Sequence, residues 1–284
     1  MLNQRFPLDV WTRELRAYRK KDYILDGLKH GFRIGVEEEK AGDGSQVSDK
    51  PHFIPLSNPE KQGVTAWILK GLQKGFICGP YDKDYKFSFG KLHIAPTFVV
   101  PKPIGYRPVV NLSHRGLCTY SVNDLICKYM KTVRYIRFRE VVNLVNNAGK
   151  GAFIFLIDAQ DAYYRVPTHP DDWKYMGISW AQKYWVFRCL QMGCSSSPKI
   201  YTEFADAVEY ICVNRNNKIA FYKGLQQLRH YIDDFFAALP TKEMATELYE
   251  SVFKTFADLG VPTRRNKCKA VSYTHLTLPT TPYV

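Results

Sequence analysis

The chain has 284 residues, 45% of them hydrophobic and 24% charged, and carries a formal net charge of +13. That length can bury the core of one large domain or of two to three subdomains, and the composition excludes a disordered or fibrous chain. Lys and Arg neutralise phosphates and aromatic faces stack on bases, so a basic chain that is 14% aromatic suits a polyanionic partner.

The seven cysteines are odd in number and form no C-x-x-C pair, which argues against a disulfide framework and a thiolate zinc site. They point to a reducing compartment, hence an intracellular protein, cytoplasmic or nuclear. His114, Cys118 and Cys127 fit no standard zinc spacing. No apolar run is long enough to cross a bilayer and no signal peptide opens the chain, so no membrane partner is expected.

In chain order, Leu8, Trp11, Leu15 and Tyr18 have helical spacing within residues 8–30, ending near Gly31. The polar stretch "EEEKAGDGSQVSDKP" (37–51) reads as an exposed loop. Asn58 and Pro59 suit the cap and first turn of a helix running to about Gln73. The runs "LHIAPTFVVPK" and "YRPVVNL" read as a hairpin turning at Pro-Ile-Gly 103–105. A helix is expected at 138–147, and "FIFLI" is a buried strand running into Asp158. The strand "YWVFRCL" leads to "QMGCSSSP", after which Ser197 and Pro198 start a helix with Ile200, Phe204, Val208 and Ile211 on one face. After "RHYIDDFFAAL" (229–239), Thr241 caps a helix to about Leu259 that Gly260 and Pro262 end. The order describes an α+β fold, a sheet layered on helices.

Adjacent carboxylates inside an apolar strand need an explanation, because burying ionised groups is costly and neighbours repel. Taken alone, "YIDD" reads first as the turn of a hairpin, where Asp is common, ahead of any functional reading. If the strand ending in Asp158 lies beside the one carrying Asp233 and Asp234, three hard oxygen donors converge, and these suit Mg²⁺. Two such ions about 3.5–4 Å apart can hold the attacking and leaving oxygens of a phosphoryl displacement.

Taken together and in order, these segments resemble the fingers and palm of a reverse transcriptase, most like those of DIRS-type retrotransposons. "FLIDAQDAYYRVPTHPDDW" resembles the first palm motif, "LQMGCSSSP" the family's "LPFGLxSAP", "YIDD" its "YxDD", and "LGVPTRRNKC" the motif that follows. Upstream, "APTFVVPKPIGYRPVVNLSHRGLCTYSVNDLI" resembles the fingers hairpin. The resemblance implies a right-hand polymerase with a small antiparallel palm sheet packed on helices. It divides the chain into an N-terminal helical extension and loop (1–56), fingers (57–120 and 165–195) and palm (121–164 and 196–271). The charge-free tail 272–284 resembles translated sequencing-adapter sequence and is read as non-native. No thumb is recognised, so a fragment is expected.

The activity implied is RNA- and DNA-templated DNA polymerisation with two Mg²⁺, for which Mn²⁺ can substitute. The partners implied are an RNA or DNA template with its primer, and dNTPs. Asp158, Asp233 and Asp234 would be the catalytic metal ligands, Asp233 the stronger of the adjacent pair. Lys102 and Arg107 would clamp the β- and γ-phosphates, and Asp161 would contact the triphosphate through its backbone amide, with N-cap or turn duty as its alternative. Tyr163 would exclude a ribose 2′-OH. Gly193 would let backbone approach the incoming base, beside Met192, where the family has Phe or Gln. Gln191 stands where the family has Pro. Lys267 would be a general acid toward pyrophosphate or a surface cation. Asp171-Asp172 is helix-start chemistry with no metal role. The rival readings are a catalytically silent nucleic-acid-binding relic and, more distantly, a carboxylate metal nuclease.

Overall fold

The computed structural model describes residues 6–41, 55–103, 105–116, 118–264 and 268–272. Its elements are α1 (Leu8–Glu14), α2 (Lys21–His30), α3 (Glu38–Ala41), α4 (Asn58–Gln73), β1 (Ile77–Tyr81), β2 (Ile94–Ala95), β3 (Thr97–Pro101) and β4 (Tyr106–Val110). There follow α5 (Val122–Leu125), α6 (Phe138–Ala148), β5 (Phe153–Asp158), α7 (Ala162–Arg165), β6 (Gly177–Trp180), β7 (Lys183–Phe187) and α8 (Ser197–Arg215). The last are β8 (Phe221–Tyr222), β9 (Leu225–Gln226), β10 (Leu228–Tyr231), β11 (Asp234–Leu239), α9 (Lys242–Asp258) and β12 (Lys269–Ser272). The expected tail 272–284 lies, from residue 273 on, outside the described residues, as does Lys267.

The chain forms two compact units. One comprises Met1–Leu8, Asp22–Val133 and Asp161–Glu203; the other comprises Asp9–Lys21, Arg134–Gln160 and Phe204–Val284. The first unit holds a sheet of order β1-β7-β6-β2, antiparallel except for the parallel β2–β6 pair, together with the β3–β4 hairpin. Its core gathers Ile68, Ile77, Val110, Leu125, Ile178 and Phe187. The second unit holds the antiparallel sheet β10-β11-β5-β12.

In that second sheet the two faces differ, as the period of two along a strand requires. Phe155, Ile157, Phe235 and Ala237 are buried, with Phe155 edge-on to Tyr249 and Phe235 edge-on to Phe256 of α9. Ile154, Leu156 and Phe236 alternate with them and are only partly buried. α9 presents Ala245, Leu248, Val252 and Phe256 as a helical stripe, and Thr241 Oγ1 accepts from the Met244 amide to cap it.

Four local expectations change. Residues 8–30 form two helices, because the stripe of Leu8, Trp11, Leu15 and Tyr18 is not continued in phase by the buried Ile24, Gly27 and Leu28. The stretch 92–102 is two strands: Pro96, which lacks an N–H, separates β2 from β3. The cap of α4 is Ser57, not Asn58, since Glu60 closes a capping box by accepting from the Ser57 amide and hydroxyl, each at 2.7 Å. Within 37–51, Glu38–Ala41 is a short helix, and the remainder lies outside the described residues.

Candidate active site

In the second unit β5 ends at Asp158, whose register partner on β11 is Asp234. Residues directly opposite on paired strands share a face, with Cβ atoms roughly 4.5–5.5 Å apart. The Ala159 amide donates to the Asp233 carbonyl at 2.9 Å and continues the ladder past the pair. Both carboxylates fall at the strand ends, on the face that carries the partly buried Ile154, Leu156 and Phe236. Asp234 is half-buried and Asp158 is buried, at 8% exposure; the Asp158 carbonyl accepts from the Arg264 amide at 3.0 Å, and the Arg264 Nε lies 3.5 Å from its Oδ1.

β10 and β11 are joined by only Ile232 and Asp233, since Tyr231 pairs with Asp234. So tight a turn needs left-handed backbone, and Ile232 supplies it with φ +54°. A β-branched residue held there stores strain of about 1–3 kcal/mol and persists only where its surroundings over-determine it. Those surroundings include His230, whose Nδ1 lies 3.3 Å from the Ile232 carbonyl oxygen and whose Nε2 lies 3.0 Å from Asp206 Oδ1.

The pairing therefore brings Asp158 and Asp234 face to face and leaves Asp233 in the turn. Among the described residues, no group of three or more His, Cys, Asp or Glu side chains is arranged to hold a metal ion. The strand register brings the backbones of the three aspartates together, while adjacent residues direct their side chains differently and only register partners share a face. The donor chemistry nonetheless fits a hard divalent cation: two facing carboxylates with a third beside them.

In the first unit Lys102 lies in the β3–β4 loop, its amide donating to the Gly105 carbonyl at 3.0 Å, while Arg107 on β4 is paired with Val100. Both are exposed. Asp161 has left-handed backbone (φ +61°) at the start of α7, but its side chain makes no capping bond; it pairs instead with Lys74 at the end of α4. N-cap duty for the Asp161 side chain is thereby excluded. A cavity of about 90 Å³ adjoins this pair, lined by Trp67, Lys70, Phe76 and Tyr164 among others. Burial pushes the Tyr164 hydroxyl well above the ordinary tyrosine range. Tyr163 is half-buried, its ring edge-on to Tyr201 at 5.3 Å.

Met192 is exposed and Gln191 buried, its Nε2 reaching the Met176 carbonyl at 3.3 Å. Gly193 has φ +106°, and a Cβ there would stand 2.3 Å from the Val110 carbonyl oxygen. The close approach this glycine permits in the structure is to β4 of its own unit.

Several residues that hold the candidates went unnoticed in the sequence. Asn123 is the clearest: its Nδ2 donates to the Gly193 carbonyl and to Ser113 Oγ, both at 2.8 Å, and its Oδ1 accepts from the Ser195 amide at 2.9 Å. It brackets the "QMGCSSS" turn from both sides. Asp172 is fully buried, accepting from the Ile34 amide at 2.8 Å and paired with Arg33. It lies in the first turn of the 3₁₀ helix Pro170–Tyr175 with its carboxylate taken up by these partners, and burial raises its carboxyl above the usual range. Arg264, Lys74 and His230 likewise carried no sequence signal beyond their type.

A family model described as reverse transcriptase (RNA-dependent DNA polymerase) matches residues 100–280. The Gag-Pro-Pol polyprotein of mouse mammary tumor virus is 22% identical over 270 residues, covering 90% of this chain and 14% of the polyprotein. The native prototype foamy virus protease-reverse transcriptase superposes with a TM-score of 0.55 at 18% identity, covering 78% of this chain and 25% of that one. The foamy viral enzyme in complex with an RNA/DNA hybrid gives 0.57 at 18% identity, covering 92% and 33%. The chain thus spans a small part of each of these relatives, and its α+β fold is shared with the foamy viral enzymes.

Proposed function

The chain belongs to the reverse transcriptase family, and we propose that it is a DNA polymerase domain that extends a primer on an RNA or DNA template. The observation that carries this is the register pairing of Asp158 with Asp234 across β5 and β11, next to the strained turn that holds Asp233. Two Mg²⁺, or Mn²⁺ in their place, would when bound by these carboxylates polarise the reacting phosphate and acidify the primer hydroxyl.

The remaining roles fall to this chain's own groups. Lys102 and Arg107, exposed on the β3–β4 hairpin, bind the triphosphate of the dNTP; the guanidinium fork matches phosphate oxygens in geometry and charge. Asp161 offers its backbone amide, since its carboxylate is taken up by Lys74. Tyr163 fills the space beneath the sugar and excludes a ribose 2′-OH. Met192 and Gly193, on the turn bracketed by Asn123, border the nascent base pair. Lys267 donates a proton to the departing pyrophosphate. In this reading the fingers are 57–120 and 165–195 and the palm is 121–164 and 196–271, so the fingers fall within the first unit and most of the palm within the second. The motif forms further favour a DIRS-type retrotransposon source over a retroviral one.

A foamy viral homologue has been solved with an RNA/DNA hybrid, which supports the choice of template–primer as partner. One observation favours the rival reading of a silent relic: Arg264 stands 3.5 Å from Asp158, on a carboxylate a metal would need. Primer extension on RNA and DNA templates with Mg²⁺ or Mn²⁺ decides between them. Incorporation that is lost in Asp234→Asn with template binding retained supports the polymerase; binding without any incorporation by the parent chain supports the relic. Tyr163→Val should raise kcat/KM for rNTP relative to dNTP. An unchanged ratio would leave Tyr163 as a packing residue against Tyr201.

A further inference from the structure

Ile232 and Asp233 make the shortest ordinary connection between two strands, and a β-branched residue sits at its left-handed position. Something must hold that conformation, and the sequence supplies no glycine or asparagine at 232 to relax it. The His230 ring lies directly behind the turn. Its side chain is 5% exposed, it stacks on Phe235 at 5.3 Å, and Phe235 in turn packs edge-on against Phe256. One ring nitrogen faces the Ile232 carbonyl and the other faces Asp206 Oδ1 on α8. A carbonyl and an ionised carboxylate only accept, so each ring nitrogen is aimed at an acceptor.

Glu209, three residues after Asp206 on the same helix, lies 4.0 Å from His230 Nε2 and is itself held by Arg229 at 3.2 Å and Gln226 at 2.8 Å. Of the two acids around the imidazole, Glu209 is therefore itself anchored by hydrogen bonds and charge.

We propose that Asp206 and His230 form a relay from α8 to the Ile232 carbonyl that fixes the turn carrying Asp233 and Asp234, which makes His230 a positioning residue for the catalytic carboxylates. This rests on the polymerase reading of those carboxylates. A turn held in one conformation presents Asp234 to Asp158 in one geometry; a relaxed turn spreads the pair over several. Outer partners of metal ligands act in this way, by orienting rather than by touching the ion.

The test uses the full chain and reads Mn²⁺ binding by EPR titration, amide hydrogen exchange at residues 231–234, thermal unfolding, and kcat and KM for dNTP in primer extension. His230→Leu keeps apolar contact with Phe235 and removes both ring hydrogen bonds. Mn²⁺ affinity and kcat should fall by about tenfold or more, the range typical of such outer partners, with KM for dNTP unchanged. Exchange at 231–234 should speed up. Asp206→Ala, half-exposed and no threat to folding, should shift the same readouts in the same direction. The double variant should add little, since both changes cut one relay. Ile232→Gly placed in the His230→Leu background should recover part of the lost affinity, because glycine takes the left-handed conformation without strain.

Unchanged exchange and unchanged Mn²⁺ affinity in both single variants would overturn the relay, as would fully additive losses in the double variant. Failure of the polymerase reading looks different. Asp158→Asn and Asp234→Asn would then leave Mn²⁺ binding untouched, and the positioning role would fall with the reading even if exchange at the turn still accelerated.

Discussion

The two units hold their candidate residues in different ways. In the second, Asp158 and Asp234 are placed by backbone register: six consecutive pairs from Asp158–Asp234 to Phe153–Leu239 fix which side chains face each other. A slip of β11 by one residue would turn Asp234 to the buried face and Phe235 off it, so the core that holds Phe155 and Phe235 also enforces the site. In the first unit the turn at Met192–Gly193 has no such ladder. It is placed by two side-chain amides, those of Asn123 and Gln191, and by the absence of a side chain at Gly193. Register spreads the cost of a site over a whole sheet, whereas such brackets concentrate it in a few residues. Substitutions should therefore act on chemistry in the second unit and on stability in the first.

The sharpest test of that contrast is Asp158→Asn. The amide keeps the volume and leaves the β5–β11 ladder intact, so unfolding should move little while primer extension falls by on the order of 10²–10³ or more, as for loss of a principal electrostatic group. A large drop in melting temperature would show that Asp158 is structural through Arg264. In the first unit Gly193→Ala should do the reverse. Its φ of +106° disfavours any L side chain, and the new Cβ would overlap the Val110 carbonyl at 2.3 Å. Backbone strain alone costs about 1–3 kcal/mol, and the clash adds to it. Thermal unfolding reads this directly, and a variant that melts like the parent would refute the close packing of the turn against β4.

The same contrast explains what the sequence disclosed. Strand periodicity places Asp158 and Asp234 at the ends of apolar runs, and two runs that each end in carboxylate are visible without coordinates. The α9 cap at Thr241 and the start of α8 at Ser197 follow from local chemistry in the same way. Asn123 was not legible, since its partners are 10, 70 and 72 residues away and asparagine in "YSVNDLI" has no distinctive pattern. Nor was the Lys74–Asp161 pair, 87 residues apart, or the Arg33–Asp172 pair, 139 residues apart. Local rules see caps, turns and periods; they do not see which distant donor a side chain will meet. The left-handed Ile232 is a further case, because propensity predicts glycine or asparagine there and tertiary bracing overrides it.

Asn123→Ala comes next in size. It leaves the Gly193 carbonyl and the Ser195 amide without this partner, at about 1–3 kcal/mol for groups kept from water and less where water reaches them. Asn123 lies near the surface, so the lower half of that range is expected. Asn123→Asp is the more telling change: an ionised carboxylate can still accept from the Ser195 amide but can no longer donate to the Gly193 carbonyl. If the bracket needs both halves, the two variants should be destabilised to a similar degree in urea unfolding. If Asp matches the parent, the Gly193 bond contributes nothing measurable.

The smallest expected effect concerns Asp124, which caps the helix carrying Asn123. Its carboxylate is paired with Arg115 at 2.8 Å and accepts from the Ser121 amide at 2.9 Å and hydroxyl at 2.7 Å. The Arg115 guanidinium and the Ser121 amide hold its acid well below the usual carboxylate range. A depressed folded-state value stabilises the protein above the unfolded value, 3.8, and that contribution is lost as pH falls from there through the folded value. The group is largely solvated, so screening limits it to about 0.5–1 kcal/mol, as for an exposed pair or a cap. Asp124→Asn should therefore lower the urea midpoint slightly at pH 7, and the gap to the parent should narrow as pH drops below 4. Added salt should narrow it too, because part of the interaction is Coulombic at an exposed site. A gap that stays constant from pH 7 to pH 3 would mean that the hydrogen bonds to Ser121, and not the charge, set the position of α5 and with it the reach of Asn123.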